Sequence, residues 1–345
     1  PKILWLLRHA TLPAGVRFVH AADFLNELLV GRPVATDFTN AMKSGVDLES
    51  LAWPEEIERL GVQRAQLPEI CRPGEALGTL AGPVAERLGL RSGVRVFAGA
   101  TDSNAAFYGS GAGEVGEWCN TIGTTFALKG IASSRLHDPR GRLYCHRHPD
   151  LAWLPGGASN CGGEVLKHYF GGEDLAALDR AARERGTTEH LVFPLVRTGE
   201  RLPFVGDEIE GFVLGDRDDR VGFYLGCLEG VAFVERLVLD VLAELGAPVG
   251  GVIYATGGGA KSATWLQVRA DLLQRELRVP ACPESAFGAA VLAAAGHLGQ
   301  SVGATSRQLV QIVETHHPTS DAERIKYYEE KYARFREECR QRGYE

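Results

Sequence analysis

Methionine is almost missing from this sequence: Met42 is the only one, and the chain opens on Pro1. Removal of an initiator before proline gives such a start, and so does a chain without its true amino terminus. Cysteine is scattered rather than scarce. Cys71, Cys119, Cys145, Cys161, Cys227, Cys282 and Cys339 form no Cys-x-x-Cys pair, and an odd number at wide spacing excludes a disulfide framework. Reduced thiols are expected, in the cytoplasm or another reducing compartment. No apolar run is long enough to span a bilayer and no signal peptide is visible, so no membrane partner is expected. Positive charge is in deficit, with 37 basic against 44 acidic residues and a net charge of −7. No basic stripe with interleaved aromatics occurs, which argues against nucleic acid as a partner. Two common nucleotide signatures are also missing. Positions 257, 259 and 262 read Gly, Gly, Ser rather than the dinucleotide fingerprint, and no Gly-Lys-Ser/Thr of a Walker A loop is present.

What remains is the composition of an ordinary globular protein: 345 residues, 45% apolar and 23% charged, enough for two domains or one large one. Residues 1–30 carry apolar positions at helical spacing, ended by Gly31 and Pro33. Short helices are expected near 54–60 and 82–89, and residues 94–99 read as a buried strand running into a loop. Strands cluster at 117–122, 125–130, 143–148 and 151–154, with Gly, Pro and Asp in their turns. Helices at 161–170 and 174–185 and strands at 191–196 and 211–214 follow. The longest helix runs over 218–245, opening on aspartates and closing at Gly246 before Pro248. Its apolar residues Leu225, Leu228, Val231, Ala232, Val234 and Leu237 occupy more than one face, which predicts burial between layers. Strand, helix, strand and helix then alternate over 252–255, 261–273, 277–279 and 285–297. An antiparallel hairpin set followed by this alternation predicts an α/β fold with a mixed sheet.

Four short stretches carry residue types suited to chemistry. In Gly99-Ala100-Thr101-Asp102-Ser103-Asn104, a carboxylate stands between a buried strand and a helix start, where it can act as a general base; the plainer local reading is a helix cap. In Asn120-Thr121-Ile122-Gly123-Thr124-Thr125, a Gly-Thr-Thr turn between strands offers amides and hydroxyls to phosphate oxygens, or is an ordinary β-turn. The run Thr256-Gly257-Gly258-Gly259-Ala260-Lys261-Ser262 lies at a strand–helix junction and lets a flat ring or a phosphate approach the backbone, with Trp265 one turn into the helix to cover a purine. Gly156-Gly157 and Gly162-Gly163, on either side of Ala158-Ser159-Asn160-Cys161, form a fourth strand–helix junction that alone is only a flexible turn. Cys145, His146 and His148 lie close enough for a metal, but their period-two alternation reads more simply as a strand.

In this order and at these spacings the stretches resemble the FGGY carbohydrate kinases of the actin-like ATPase superfamily. The resemblance is carried by residues 94–113, 117–127, 193–215, the stretch Leu228-Glu229-Gly230-Val231-Ala232-Phe233, and residues 257–275 and 284–296. It implies an actin-like (ribonuclease H-like) fold of two lobes with mixed sheets: the remainder of a sugar-binding domain over 1–112 and a nucleotide-binding domain over 113–345.

The activity it implies is ATP-dependent phosphorylation of a small sugar, with ATP and Mg²⁺ as cofactors and a ketopentose such as D-ribulose or D-xylulose as acceptor. Asp102 would be the catalytic base, with Asp102 and Ser103 touching substrate. Gly123, Thr124 and Thr125 would hold phosphates, Gly163 would lie beside them, and Gly258, Gly259, Ala260, Ser262 and Trp265 would receive the adenosine. Ser262 departs from the Asn common at that position in relatives. The larger departure is that no Asp-x-Gly-Thr hairpin, which family members use on the γ-phosphate and the Mg²⁺ waters, occurs in these residues. The first lobe is therefore expected to be incomplete and these 345 residues inactive by themselves. A non-catalytic nucleotide-binding remnant is the alternative reading. Metal ligands and oligomeric state are not legible.

Overall fold

The computed structural model describes residues 2–344, which divide into two compact units. The first comprises residues 2–109, 146–151 and 282–309; the second comprises 110–145, 152–281 and 310–344. Among the described residues no helix is long and apolar enough to cross a membrane, and the seven cysteines are free thiols.

The second unit is built on a seven-stranded mixed sheet. Its strand order is Ile312–His316, Leu277–Pro280, Ile253–Thr256, Trp118–Ile122, Phe126–Gly130, Trp153–Ser159 and Tyr144–Arg147. Ile253–Thr256 pairs in parallel with both Leu277–Pro280 and Trp118–Ile122, whereas Trp118–Ile122, Phe126–Gly130 and Trp153–Ser159 form an antiparallel meander. The helix Arg220–Glu244 matches the predicted span to within two residues. The Asp219 side chain accepts from the Gly222 amide at 3.1 Å and so caps it. All six apolar residues singled out from its sequence are buried. Its glycines serve close packing: a Cβ on Gly230 would lie 2.3 Å from the Val192 carbonyl oxygen.

Several elements differ from the sequence expectation. The strand expected over 151–154 is Trp153–Ser159 and includes Gly156-Gly157, and strand Ala76–Thr79 and helix Val302–Leu309 were not anticipated. The stretch expected as helix over 261–273 begins with a 3₁₀ turn, Gly258–Lys261, and the α-helix proper is Ala263–Leu273. The break lies at Ser262, whose extended backbone and hydroxyl cap the second segment by accepting from Trp265 N at 2.9 Å. Strand Ile312–His316 was not anticipated. It is an edge strand with three of five residues exposed, so it lacks the apolar alternation that announces a strand.

In the first unit, helices Lys2–His9 and Ala21–Val30 precede two small sheets. Thr36–Asp37 pairs in parallel with Ile70–Cys71, and Ala76–Thr79 pairs antiparallel with Arg95–Phe97. Helix Asp102–Tyr108 packs on helix Ser285–Leu298 so closely that a Cβ on Gly288 would fall 1.7 Å from the Ala105 carbonyl oxygen. Trp5, Phe24, Leu25, Leu28 and Leu60 of this unit are all more than half exposed.

Candidate functional site

In the second unit, the phosphate-turn and glycine-loop motifs become neighbours. Strands Trp118–Ile122 and Ile253–Thr256 run parallel in register, with Thr121 opposite Thr256. Each motif begins where its strand ends, so both loops emerge at the same edge, the carboxyl end, where open α/β sheets bind ligands. The hydroxyls of Thr121 and Thr256 are hydrogen-bonded at 2.7 Å across the two strands.

The three glycines of the loop do different things. Gly257 has φ +80°, a conformation that side chains resist, and a Cβ there would stand 2.6 Å from the Ile122 carbonyl oxygen. Gly259 is buried, and a Cβ on it would meet Ile122 Cβ at 2.8 Å. Gly258 is exposed, with no atom nearer its missing Cβ than 3.8 Å, so its surface is open to a ligand. Ala260 is half-buried and packs against the core.

Residues Gly123, Thr124 and Thr125 are exposed. The turn is held by Gly123 N donating to Thr125 O at 2.9 Å, and its other carbonyls are turned toward the fourth glycine junction. Gly163 N donates to Gly123 O at 2.8 Å and Glu164 N to Thr124 O at 3.1 Å. Cβ atoms on Gly162 and Gly163 would lie 2.6 Å from Thr124 O and 2.7 Å from Gly123 O. The junction that reads in sequence as a flexible turn is therefore the backing of the phosphate turn. The doubled glycine was its only signal.

Ser262 accepts from Trp265 N and donates to Asp179 Oδ1 at 2.6 Å. Asp179 also accepts from the Tyr224 hydroxyl at 3.3 Å, and burial followed by this carboxylate pushes the Tyr224 phenol up. Sequence reasoning missed Asp179, which on the helix Leu175–Arg185 looks like any surface charge. Trp265, expected to cover a purine, is 3% exposed and donates its indole N–H to Leu228 O at 3.0 Å. Its ring approaches Gly259 to 3.4 Å from the position of the missing Cβ, which makes it a floor for the loop rather than a cover. The apolar contacts available to an indole in the core decide this.

In the first unit, Asp102 is the first residue of helix Asp102–Tyr108, and Thr101 occupies the cap position. Its exposed carboxylate receives Ser103 N on Oδ1 at 2.7 Å, and Oδ2 has no partner among the described residues. Ser103 is itself exposed. The helix start is anchored by Ser285 Oγ donating to Asp102 O at 3.0 Å and by Thr101 N donating to Thr39 Oγ1 at 2.9 Å. Thr39 is fixed in turn by the buried Asp37, which accepts from Thr39 N and Asn40 N; burial raises the Asp37 carboxyl above its ordinary range.

The Cys145, His146 and His148 trio does not converge. His146 Nδ1 meets Asn104 Oδ1 at 3.1 Å, while the buried His148 accepts Asp150 N on Nδ1 at 3.0 Å. Among the described residues no group of three or more His, Cys, Asp or Glu could hold a metal ion.

Comparison with known proteins divides the chain by sequence. Residues 121–297 match the FGGY family of carbohydrate kinases, C-terminal domain, and residues 1–109 match its N-terminal domain. Residues 146–151 and 282–297 of the first unit therefore fall within the C-terminal match. A gluconokinase from Bacillus subtilis is 28% identical over 314 residues, covering 84% of this chain and 61% of that protein. A xylulose kinase from Streptomyces coelicolor is 31% identical over 324 residues, covering 89% and 63%. The chain thus spans under two thirds of the length of these relatives. The crystal structure of a xylulose kinase from Rhodospirillum rubrum superposes with TM-score 0.82 at 25% identity, over 99% of this chain and 71% of that one.

Proposed function

This chain belongs to the FGGY family of carbohydrate kinases, with the α/β mixed-sheet, actin-like ATPase fold of that family, and we propose that its protein phosphorylates a small sugar at the expense of ATP. The observation that carries the reading is the meeting of two ligand-ready loops, Gly123 to Thr125 and Gly257 to Gly259, at one sheet edge.

In this reading the second unit binds the nucleotide. The exposed hydroxyls and amides of Thr124 and Thr125, with Gly123 and Gly163 behind them, receive the β- and γ-phosphates. Gly258, Gly259 and Ala260 receive the adenosine, with Ser262 beside them and Trp265 beneath. Mg²⁺ would be held chiefly through the nucleotide's phosphates and water, with the exposed Thr124 and Thr125 hydroxyls as the oxygen donors this turn could add. When bound, it neutralises charge on the phosphates.

The first unit supplies Asp102 as the base. The acceptor hydroxyl gives its proton to the carboxylate, its oxygen bonds to the γ-phosphorus, and the bond from that phosphorus to the β-bridging oxygen breaks, leaving ADP. Such transfer passes through a loose transition state that needs position and charge stabilisation more than covalent help. The exposed, half-engaged carboxylate of Asp102 fits the role. A ketopentose such as D-ribulose or D-xylulose is the proposed acceptor, supported by relatives named xylulose kinase.

The test is ATP turnover by the intact protein against a panel of ketopentoses, aldopentoses and gluconate, followed by ADP release. Ketopentose-dependent release supports the full reading. Gluconate preference moves the substrate but keeps the kinase. Tight nucleotide binding with no turnover on any sugar leaves only a nucleotide-binding role.

A further inference from the structure

A charged cluster lies inside the apolar core of the second unit and reaches the first residue of the phosphate-turn stretch, Asn120. Asn120, Glu235 and Arg269 are all 0% exposed. Arg269 grips Glu235 with a two-pronged fork, Nε to Oε2 at 2.7 Å and Nη2 to Oε1 at 2.9 Å. Asn120 Nδ2 donates to the same Oε1. The elements that carry the three residues contribute Trp118, Ile122, Phe233 and Leu266 to the hydrophobic core of this unit.

Stability alone does not account for this arrangement. Removing two charges from water costs more than packing apolar side chains of the same volume, and such replacements are commonly neutral or stabilising. The cluster is also imperfectly satisfied, because Asn120 Oδ1 and Arg269 Nη1 are buried with no hydrogen-bond partner. What the cluster does supply is direction. A planar guanidinium on a carboxylate specifies distance, rotation and tilt together, whereas apolar contacts slide.

The three residues sit on the elements that lead to the two loops. Asn120 is on strand Trp118–Ile122, two residues before the Ile122 that abuts Gly257 and Gly259, and three before Gly123. Arg269 is on helix Ala263–Leu273, which follows the glycine loop and whose first turn holds Ser262 and Trp265. Glu235 is on the long buried helix Arg220–Glu244, the common reference for both. Trp265 Nε1 also bonds Leu228 O of that helix, so Ala263–Leu273 is tied to it at two successive turns.

We propose that Asn120, Glu235 and Arg269 are positioning residues for the nucleotide, holding the strand into the phosphate turn and the helix out of the glycine loop in one fixed relation. This rests on the reading that the second unit binds nucleotide. The cluster touches no ligand and acts only through Ile122, Gly123 and the Ser262 turn.

Calorimetric titration of ADP and thermal unfolding, both on the 345-residue chain, test it with two variants. Glu235→Leu/Arg269→Met removes both charges together, and Asn120→Leu cuts only the strand's tie while keeping the number and branching of side-chain heavy atoms. Asn120→Leu is expected to unfold close to the unaltered chain and the double variant somewhat below it, because the buried Asn120 Nδ2 loses its acceptor. Each is expected to bind ADP about tenfold more weakly. In the intact protein, KM for ATP should rise while KM for sugar holds. ADP binding at unaltered affinity in either variant overturns the proposal and leaves the nucleotide reading standing. If the double variant does not fold, Asn120→Leu decides alone. Failure of the unaltered chain to bind ADP overturns the nucleotide reading and this proposal with it.

Discussion

The hydroxyls of Thr121 and Thr256 meet at 2.7 Å although 135 residues separate them in the chain. They mark the last paired residues of two parallel strands, one step before Ile122 on one side and Gly257 on the other. This pairing turns a Gly-Thr-Thr turn and a glycine loop, each weak evidence alone, into one edge with an exposed crest and a packed base.

Asp102→Asn should separate chemistry from structure. The amide can still receive Ser103 N but cannot take a proton at neutral pH, so turnover by the intact protein should fall about 10²–10⁴-fold. Nucleotide affinity and melting temperature should stay where they are, since Thr101 rather than Asp102 holds the cap position. Steady-state rates beside a thermal melt check this. Proportional loss of both would make Asp102 structural.

The glycine loop should respond position by position. Gly257→Ala meets Ile122 O at 2.6 Å with φ at +80°, and should destabilise the second unit by about 1–3 kcal/mol. Gly258→Ala has open space and should leave denaturant midpoints unchanged. Its effect should appear in ADP affinity alone, because a methyl group on the open crest stands where the adenosine would lie. Equal stability losses at the two positions would contradict the described loop.

Acid should weaken the first unit through His148. Burial pushes this imidazole down to about 4, against the smaller upward pull of Asp150. Its ring lies edge-on to Tyr108 at 5.4 Å. The folded state therefore refuses a proton that the unfolded chain accepts below about 6.5. Stability from this group is complete above pH 6.5 and is lost as pH falls toward 4, about 2 kcal/mol between pH 7 and pH 5. Denaturant titrations at those two pH values should show the loss, and His148→Gln should flatten it.

The exposed apolar residues of the first unit should make this chain associate. Helix Lys2–His9 buries none of its residues, and a cleft of about 1200 Å³ lies beside it, lined by Ile3, Leu4, Trp5, Ile57 and Leu60 among others. Patches of this kind mark contact surfaces. Light scattering should rise with concentration, and Trp5→Glu with Leu28→Glu should lower it. Hydrogen exchange should be fastest in Lys2–His9. Protection there equal to that of helix Arg220–Glu244 would contradict the exposure described.

Much of this was legible in the amino acids themselves. Local rules act over a few residues, so the aspartates that open the long helix, its stop near Gly246, the hairpin about Gly123 and the order of the motifs could be read directly, and with them the family. The tertiary structure alone decided which weak motifs are neighbours, because parallel pairing of Trp118–Ile122 with Ile253–Thr256 is a long-range choice with no local signature. It also decided what each side chain does. Trp265 became a floor because the core offered its indole more contact than the surface. Gly162 and Gly163 became a backing because another turn's carbonyls came within 3 Å of where their Cβ atoms would stand. Asn120, Glu235 and Arg269, unremarkable apart, became a buried cluster only when strand and helices closed around them. Periodicity tells which face of an element is buried; which atoms meet there depends on packing that no single segment specifies.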